Sequence, residues 1–124
     1  MPDAPAPDTL DSLTAVRDRL RAFADERDWN QFHAPKNLAM ALIVEAAEVV
    51  EHFQWQGAAD EPAAEKRAAI GAELVDVLFY LVRLADRLDI DLPAAAADKL
   101  AANAAKYPAD RVRGSWRKYD EYDE

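Results

Sequence analysis

The sequence predicts an all-α fold, a four-helix bundle built on an antiparallel helix pair and completed by oligomerisation. Three observations carry that prediction. Apolar residues recur at steps of three and four rather than two. The chain is rich in Ala, Leu, Glu and Arg and has only 3 glycines in 124 residues. Its prolines punctuate the periodic stretches instead of interrupting them.

Taken in order, residues 1–8 hold prolines at 2, 5 and 7 and read as a loose tail. A first helix is expected from about Thr9 to Arg27, capped by Asp8 or Thr9, because Leu10, Leu13, Val16, Leu20 and Phe23 lie on one face. Pro35 ends the following linker, and a second helix is expected from Asn37 to Gln56. After a connection at Gly57–Pro62, a third helix should span Ala63 to Leu88. Pro93 suits the first turn of a fourth, with Asp91 or Leu92 as cap and an end at Tyr107-Pro108. One domain is thus expected over 9–108, with a polar and aromatic tail at 109–124.

The balance of 24 acids against 15 bases gives a net charge of −9. That argues against a partner held by phosphate neutralisation, so no nucleic-acid polymer is expected. With no cysteine, disulfides, thiolate metal sites and cysteine nucleophiles are excluded. No apolar run is long enough for a membrane span, and the N-terminus lacks the pattern of a signal peptide. The expectation is a cytoplasmic protein with no membrane partner.

Acid-x-x-acid pairs abound in so acidic a chain and by themselves mean little. Two of them have unusual surroundings. From Leu38 to Val50 only Glu45 and Glu48 are not apolar; from Leu74 to Val82 the exception is Asp76, with Glu73 just before. A helix that is apolar all round belongs inside a larger packing, and a spacing of three puts each pair on one face. A short connection makes the two helices antiparallel, so Glu45 and Glu48 can face Glu73 and Asp76. Four carboxylates in one poorly hydrated site must take up protons or gather cations. Oxygen ligands without sulfur favour Mg²⁺, or Mn²⁺. The plainer alternative is a solvated groove in which the acids pair with Lys or Arg. A di-iron bundle would want Glu-x-x-His on two helices, whereas His52 follows Glu48 by four and the third helix has no histidine.

Glu45-x-x-Glu48 followed by Glu73-x-x-Asp76 on such a helix pair resembles the MazG-like all-α nucleoside triphosphate pyrophosphohydrolases. The stretches from Arg27 to His33, Pro35 to Leu38, His52 to Trp55, Glu73 to Leu81 and Lys99 to Pro108 are similar to the dCTP pyrophosphatase branch. The resemblance implies Mg²⁺-dependent hydrolysis of dCTP or a modified dCTP to the monophosphate and pyrophosphate, in nucleotide-pool sanitation. Activity on dUTP or a non-canonical purine triphosphate, or a non-catalytic helical interaction module, are the alternatives. It implies metal ligation by Glu45, Glu48, Glu73 and Asp76, with Glu45 the candidate general base. A homotetramer arranged as a dimer of dimers is likewise implied.

The same resemblance places Trp29, Asn30, Gln31, Phe32, His33 and Trp55 around base and sugar, where aromatic faces stack and polar edges read hydrogen-bonding groups. Tyr80, one turn after Asp76, would reach the nucleotide. Lys99, Asn103 and Lys106 form one stripe suited to phosphate oxygens, and Lys36 sits at a helix start that attracts phosphate. Leu20 stands where some relatives have a polar residue, so the first helix receives no role.

Overall fold

A computed structural model describes residues 9–117; the expected N-terminal tail at 1–8 and positions 118–124 lie outside the described residues. Among those described, regular structure is entirely helical: α1 (Leu13–Glu26), a 3-10 turn (Asn30–Phe32), α2 (Pro35–Glu51), α3 (Ala64–Arg87), α4 (Leu92–Lys106) and α5 (Ala109–Val112). The chain divides into two units, residues 1–90 with α1 to α3 and residues 91–124 with α4 and α5.

The start of α1 differs from expectation. Ser12 is the cap, its Oγ accepting the Ala15 N–H at 3.0 Å, because a hydroxyl at that position satisfies a donor the helix itself leaves unpaired. Its end is a Schellman turn in which Asp28 N–H donates to the Asp25 carbonyl at 3.2 Å and Trp29 N–H to the Ala24 carbonyl at 3.0 Å. Asp28 sits there at φ 52°. The end of α3 repeats the device, with Asp89 at φ 55° and Ile90 N–H on the Ala85 carbonyl at 2.8 Å. Glycine is usual at such positions, and aspartate tolerates them at a cost of about 1 kcal/mol. Asp89→Gly should therefore be at least as stable as the parent, whereas the β-branched Asp89→Val should lose about 1–2 kcal/mol. Urea unfolding with unchanged slope would check both.

Two boundaries of α2 also move. Pro35 opens the helix, two residues before the expected start, because its fixed φ is already helical and its missing N–H costs nothing at the first position. Asn37 is consequently inside the helix, donating its Nδ2 to the Phe32 carbonyl at 3.2 Å. At the other end α2 stops at Glu51, and residues 52–56 tighten into turns bonded from His52 to Val49, Phe53 to Val50 and Gln56 to Phe53. The connection to α3 therefore begins at His52, not Gly57. In the second unit Asp91 caps α4 by accepting the Ala94 N–H at 3.1 Å, with Pro93 in the first turn as expected. The expected tail contains a helix of four residues, α5.

Within the first unit α2 and α3 lie side by side and α1 packs on α3. The buried apolar side chains are Val16, Ala24, Leu38, Ile70, Val82 and Ala85. α2 and α3 carry more apolar surface than is covered within the described residues. Met40, Ile43, Val44, Val50, Leu74, Val75 and Leu81 are exposed, because a helix that is apolar all round has more apolar circumference than the packing of α1, α2 and α3 on one another covers.

Candidate active site

The pairing of α2 with α3 brings three of the four singled-out acids together. Glu45, Glu73 and Asp76 each offer a carboxylate oxygen, and these oxygens all lie within 4.8 Å of one another. The contact between the middle of α2 and the middle of α3 follows from their antiparallel run, and the i, i+3 spacing on α3 keeps Glu73 and Asp76 on one face. Oε2 of Glu45 and Oε2 of Glu73 are buried without a hydrogen-bond partner. Glu48 completes the constellation differently from its partners. Its close approach is the largest cause raising the Glu45 and Glu73 carboxyls above the ordinary glutamate range, ahead of burial and the charges of Glu48 and Asp76. Acceptor-only oxygens crowded this way want protons or a hard divalent cation. The donor set therefore fits an oxygen-ligated divalent ion.

A pocket of about 160 Å³ opens beside the acids, lined by Leu20, Phe23, Ala24, Trp29, His33, Asp76, Phe79, Tyr80 and Arg83. Asp76 belongs to both the pocket wall and the acidic cluster. The Schellman turn at Asp28 folds Trp29 back on α1, where its ring meets Phe23 edge-on at 5.6 Å. Trp29 also meets His33 edge-on at 6.2 Å, and the Arg27 guanidinium lies 3.5 Å over the Phe23 ring. Of the expected substrate residues, Trp29, His33 and Tyr80 thus stand in one pocket. The others take different places. Asn30 accepts a hydrogen bond from Arg83 and donates to Asp25 at 2.5 Å. Gln31 braces the turn by donating to the Asp28 carbonyl at 3.0 Å. Phe32, Lys36 and the 90% exposed Trp55 do not line this pocket. Lys99, Asn103 and Lys106 share a stripe of α4, in the second unit.

Sequence reasoning missed three contributors. Leu20, denied a role for lack of a polar group, supplies apolar wall with Phe23 and Ala24. His52 Nε2 lies 3.8 Å from Glu73 Oε1; its place four residues after Glu48, one turn further on, was the available signal. Arg83 is the third, a lone cation in an apolar stretch of α3 and three residues after Tyr80. Behind it, Arg21 grips Asp86 with two bonds at 3.0 and 2.5 Å, and Arg83 Nη1 reaches Asp86 Oδ2 at 3.2 Å. These cations, Arg21 foremost, hold the Asp86 carboxyl below the usual aspartate range. A depressed carboxyl contributes stability above its unfolded value, and that contribution is lost as pH falls through the folded one. Asp86→Ala should cost about 2 kcal/mol, less than a fully buried pair because Arg21 is half exposed, and should flatten the acid limb of stability below about pH 4. Thermal melts from pH 2.5 to 7 would check this.

The chain belongs to the MazG-like family, whose model matches residues 40–121. Among relatives, dCTP pyrophosphatase 1 of Homo sapiens is 50% identical over 115 residues, covering 89% of this chain and 67% of that protein. The Bos taurus protein of the same name is 44% identical over 113 residues, covering 87% and 66%. The chain thus spans about two thirds of the length of these relatives. Among solved structures, a pyrophosphatase from Archaeoglobus fulgidus DSM 4304 superposes with a TM-score of 0.63 at 31% identity, over 84% of this chain and 99% of that one.

Proposed function

We propose that this chain hydrolyses dCTP, or dCTP modified on its base, to the monophosphate and pyrophosphate. The observation that carries the reading is Asp76, shared between a ring-lined pocket and a carboxylate cluster. A base held against Trp29 places its triphosphate beside the acids, and relatives of this similarity carry the dCTP pyrophosphatase name. The pocket is small against whole-ligand sites of roughly 300–1,000 Å³, which suits a nucleobase with the phosphates outside.

In this reading Glu45, Glu73 and Asp76, with Glu48 beside them, would hold Mg²⁺. When bound, such an ion neutralises phosphate oxygens and makes a nearby water more acidic. The protein's own part is to orient and to move a proton. Trp29 and Tyr80 position the nucleoside, with Asp76 joining their pocket to the acidic cluster. Water adds to the α-phosphorus, the bond to the bridging oxygen breaks, and pyrophosphate departs. Oε2 of Glu45, buried without a hydrogen-bond partner, accepts the water's proton. Lys99, Asn103 and Lys106 are assigned to the phosphates, and Trp55 to the base of a nucleotide bound with a second copy of the chain. That copy would cover the apolar residues left exposed on α2 and α3, giving a dimer or a dimer of dimers; sedimentation of the intact chain tests it.

Pyrophosphate release over a panel of deoxynucleoside and nucleoside triphosphates tests the activity. A preference for dCTP supports the proposal, a preference for dUTP or a purine reassigns the base, and no release from any nucleotide at saturating Mg²⁺ refutes it in favour of a non-catalytic helical module.

A further inference from the structure

Arg83 is buried, 6% exposed, and its bonds are distributed unusually. Nη1 meets the acid Asp86, but Nη2 donates to the amide oxygen of Asn30, and Nε donates to His33 Nδ1 at 3.0 Å. A guanidinium has donors only, so each group it touches must act as an acceptor. A neutral imidazole holds one proton; with Nδ1 accepting, that proton resides on Nε2. Protonating both nitrogens would set one N–H against another. Burial first, then the charges of Arg83 and Arg87, keep His33 below its ordinary range, and Arg87 Nε donates to the His33 carbonyl at 3.1 Å, fixing the backbone of the same residue. His33 lines the pocket beside Trp29. With Nδ1 turned to Arg83, the protonated Nε2 is the ring edge left for a ligand.

We propose, resting on the dCTP reading above, that Arg83 is a positioning residue for base selection: by donating to Nδ1 it locks His33 as the neutral Nε2–H tautomer, so that the pocket offers a fixed N–H donor to the pairing edge of the nucleobase. O2 accepts in both cytosine and uracil, but at position 3 cytosine carries an acceptor where uracil presents an N–H, so the discrimination lies in the donor meeting N3. A locked donor there meets cytosine's acceptor and is opposed by uracil's N–H. A ring free to exchange tautomers would accommodate either. The Arg83–His33 pair therefore favours cytosine over uracil, and sites built to hydrogen-bond their ligand discriminate strongly because a mismatched polar group is left unpaired.

The chain has only two histidines, His33 and His52, so nitrogen NMR of the ¹⁵N-labelled full chain can read the tautomer directly, with an H52Q variant for assignment. The parent should show His33 with its proton on Nε2. Arg83→Gln, which can still donate to Nδ1, should keep that tautomer; Arg83→Met should give a mixture and a higher His33 pKa. In turnover, Arg83→Met should lower the dCTP-to-dUTP ratio of kcat/KM by about 10-fold or more, mostly through KM for dCTP, with Arg83→Gln recovering part of the ratio. If Arg83→Met does not fold, His33→Phe against His33→Gln replaces it, since only glutamine retains a donor; the same loss and partial recovery are expected. A parent His33 protonated on Nδ1 overturns the proposal, as does an unchanged base ratio in the variants. A parent with the Nε2–H tautomer that hydrolyses no nucleotide instead refutes the proposed function, and one that prefers dUTP over dCTP refutes the base selection.

Discussion

Glu73→Gln should lower pyrophosphate release from dCTP on the order of 10³-fold while raising the melting temperature of the metal-free chain. The two effects have one origin. Glu73 stands within 4.8 Å of Glu45 and Asp76 through its carboxylate oxygens, and its Oε2 is buried without a partner. A neutral amide of the same shape removes one of the crowded charges, so Glu45 loses a repulsive neighbour and the folded state gains. The same substitution removes an anionic ligand. Divalent-ion catalysis rests on several kcal/mol of charge stabilisation, and each 1.36 kcal/mol is tenfold in rate, which sets the size of the loss. Asp76→Asn should behave alike in activity and weaken nucleotide binding as well, since Asp76 also walls the pocket. Kinetics at saturating Mg²⁺ with melts in chelator measure both halves. A Glu73→Gln variant that melts below the parent in chelator would mean the acids are paired with cations and the site is a solvated groove.

The gap in melting temperature between chain with Mg²⁺ and chain in chelator should widen as pH rises from 5 to 8. The carboxyls of Glu45 and Glu73 are raised, chiefly by the approach of Glu48. A raised carboxyl leaves stability intact below its unfolded value, near pH 4.3, and stability falls as pH climbs through the folded value. The metal-free chain therefore suffers increasingly from its own acids. Divalent binding requires those groups deprotonated and offsets their repulsion, so its contribution grows over the same interval. His33, held low, titrates in the opposite direction, but it is common to both samples and drops out of the difference. Scanning calorimetry in matched buffers gives the gap at each pH; a gap independent of pH would show that the ion binds elsewhere.

Several parts of this molecule are legible along the chain because their causes are local. The helical period of α1 to α4, the cap at Asp91 and the place of Pro93 depend on residues within a turn or two. The two acid pairs stand out because everything around them is apolar. Other features were not legible for equally physical reasons. Asp28 and Asp89 end their helices in a conformation usually signalled by glycine, so the turns that set Trp29 and Ile90 had no such marker. Pro35 reads equally as a breaker and as a first helical residue, and only the structure shows which. Arg83 looks like a surface cation until α3 is packed against the Asn30–His33 segment; burial then turns it into the group that orders His33 and Asn30.

An all-helical chain with carboxylates stranded on apolar helices follows from side-chain spacing and composition alone. The packing of the helices sets which of those acids meet, that one of them also walls a pocket, and that Arg83 reaches Nδ1 of His33 in its wall. Contacts between residues dozens of positions apart depend on how helices are set against one another, and that setting emerges from the packing of all of them together rather than from any one stretch.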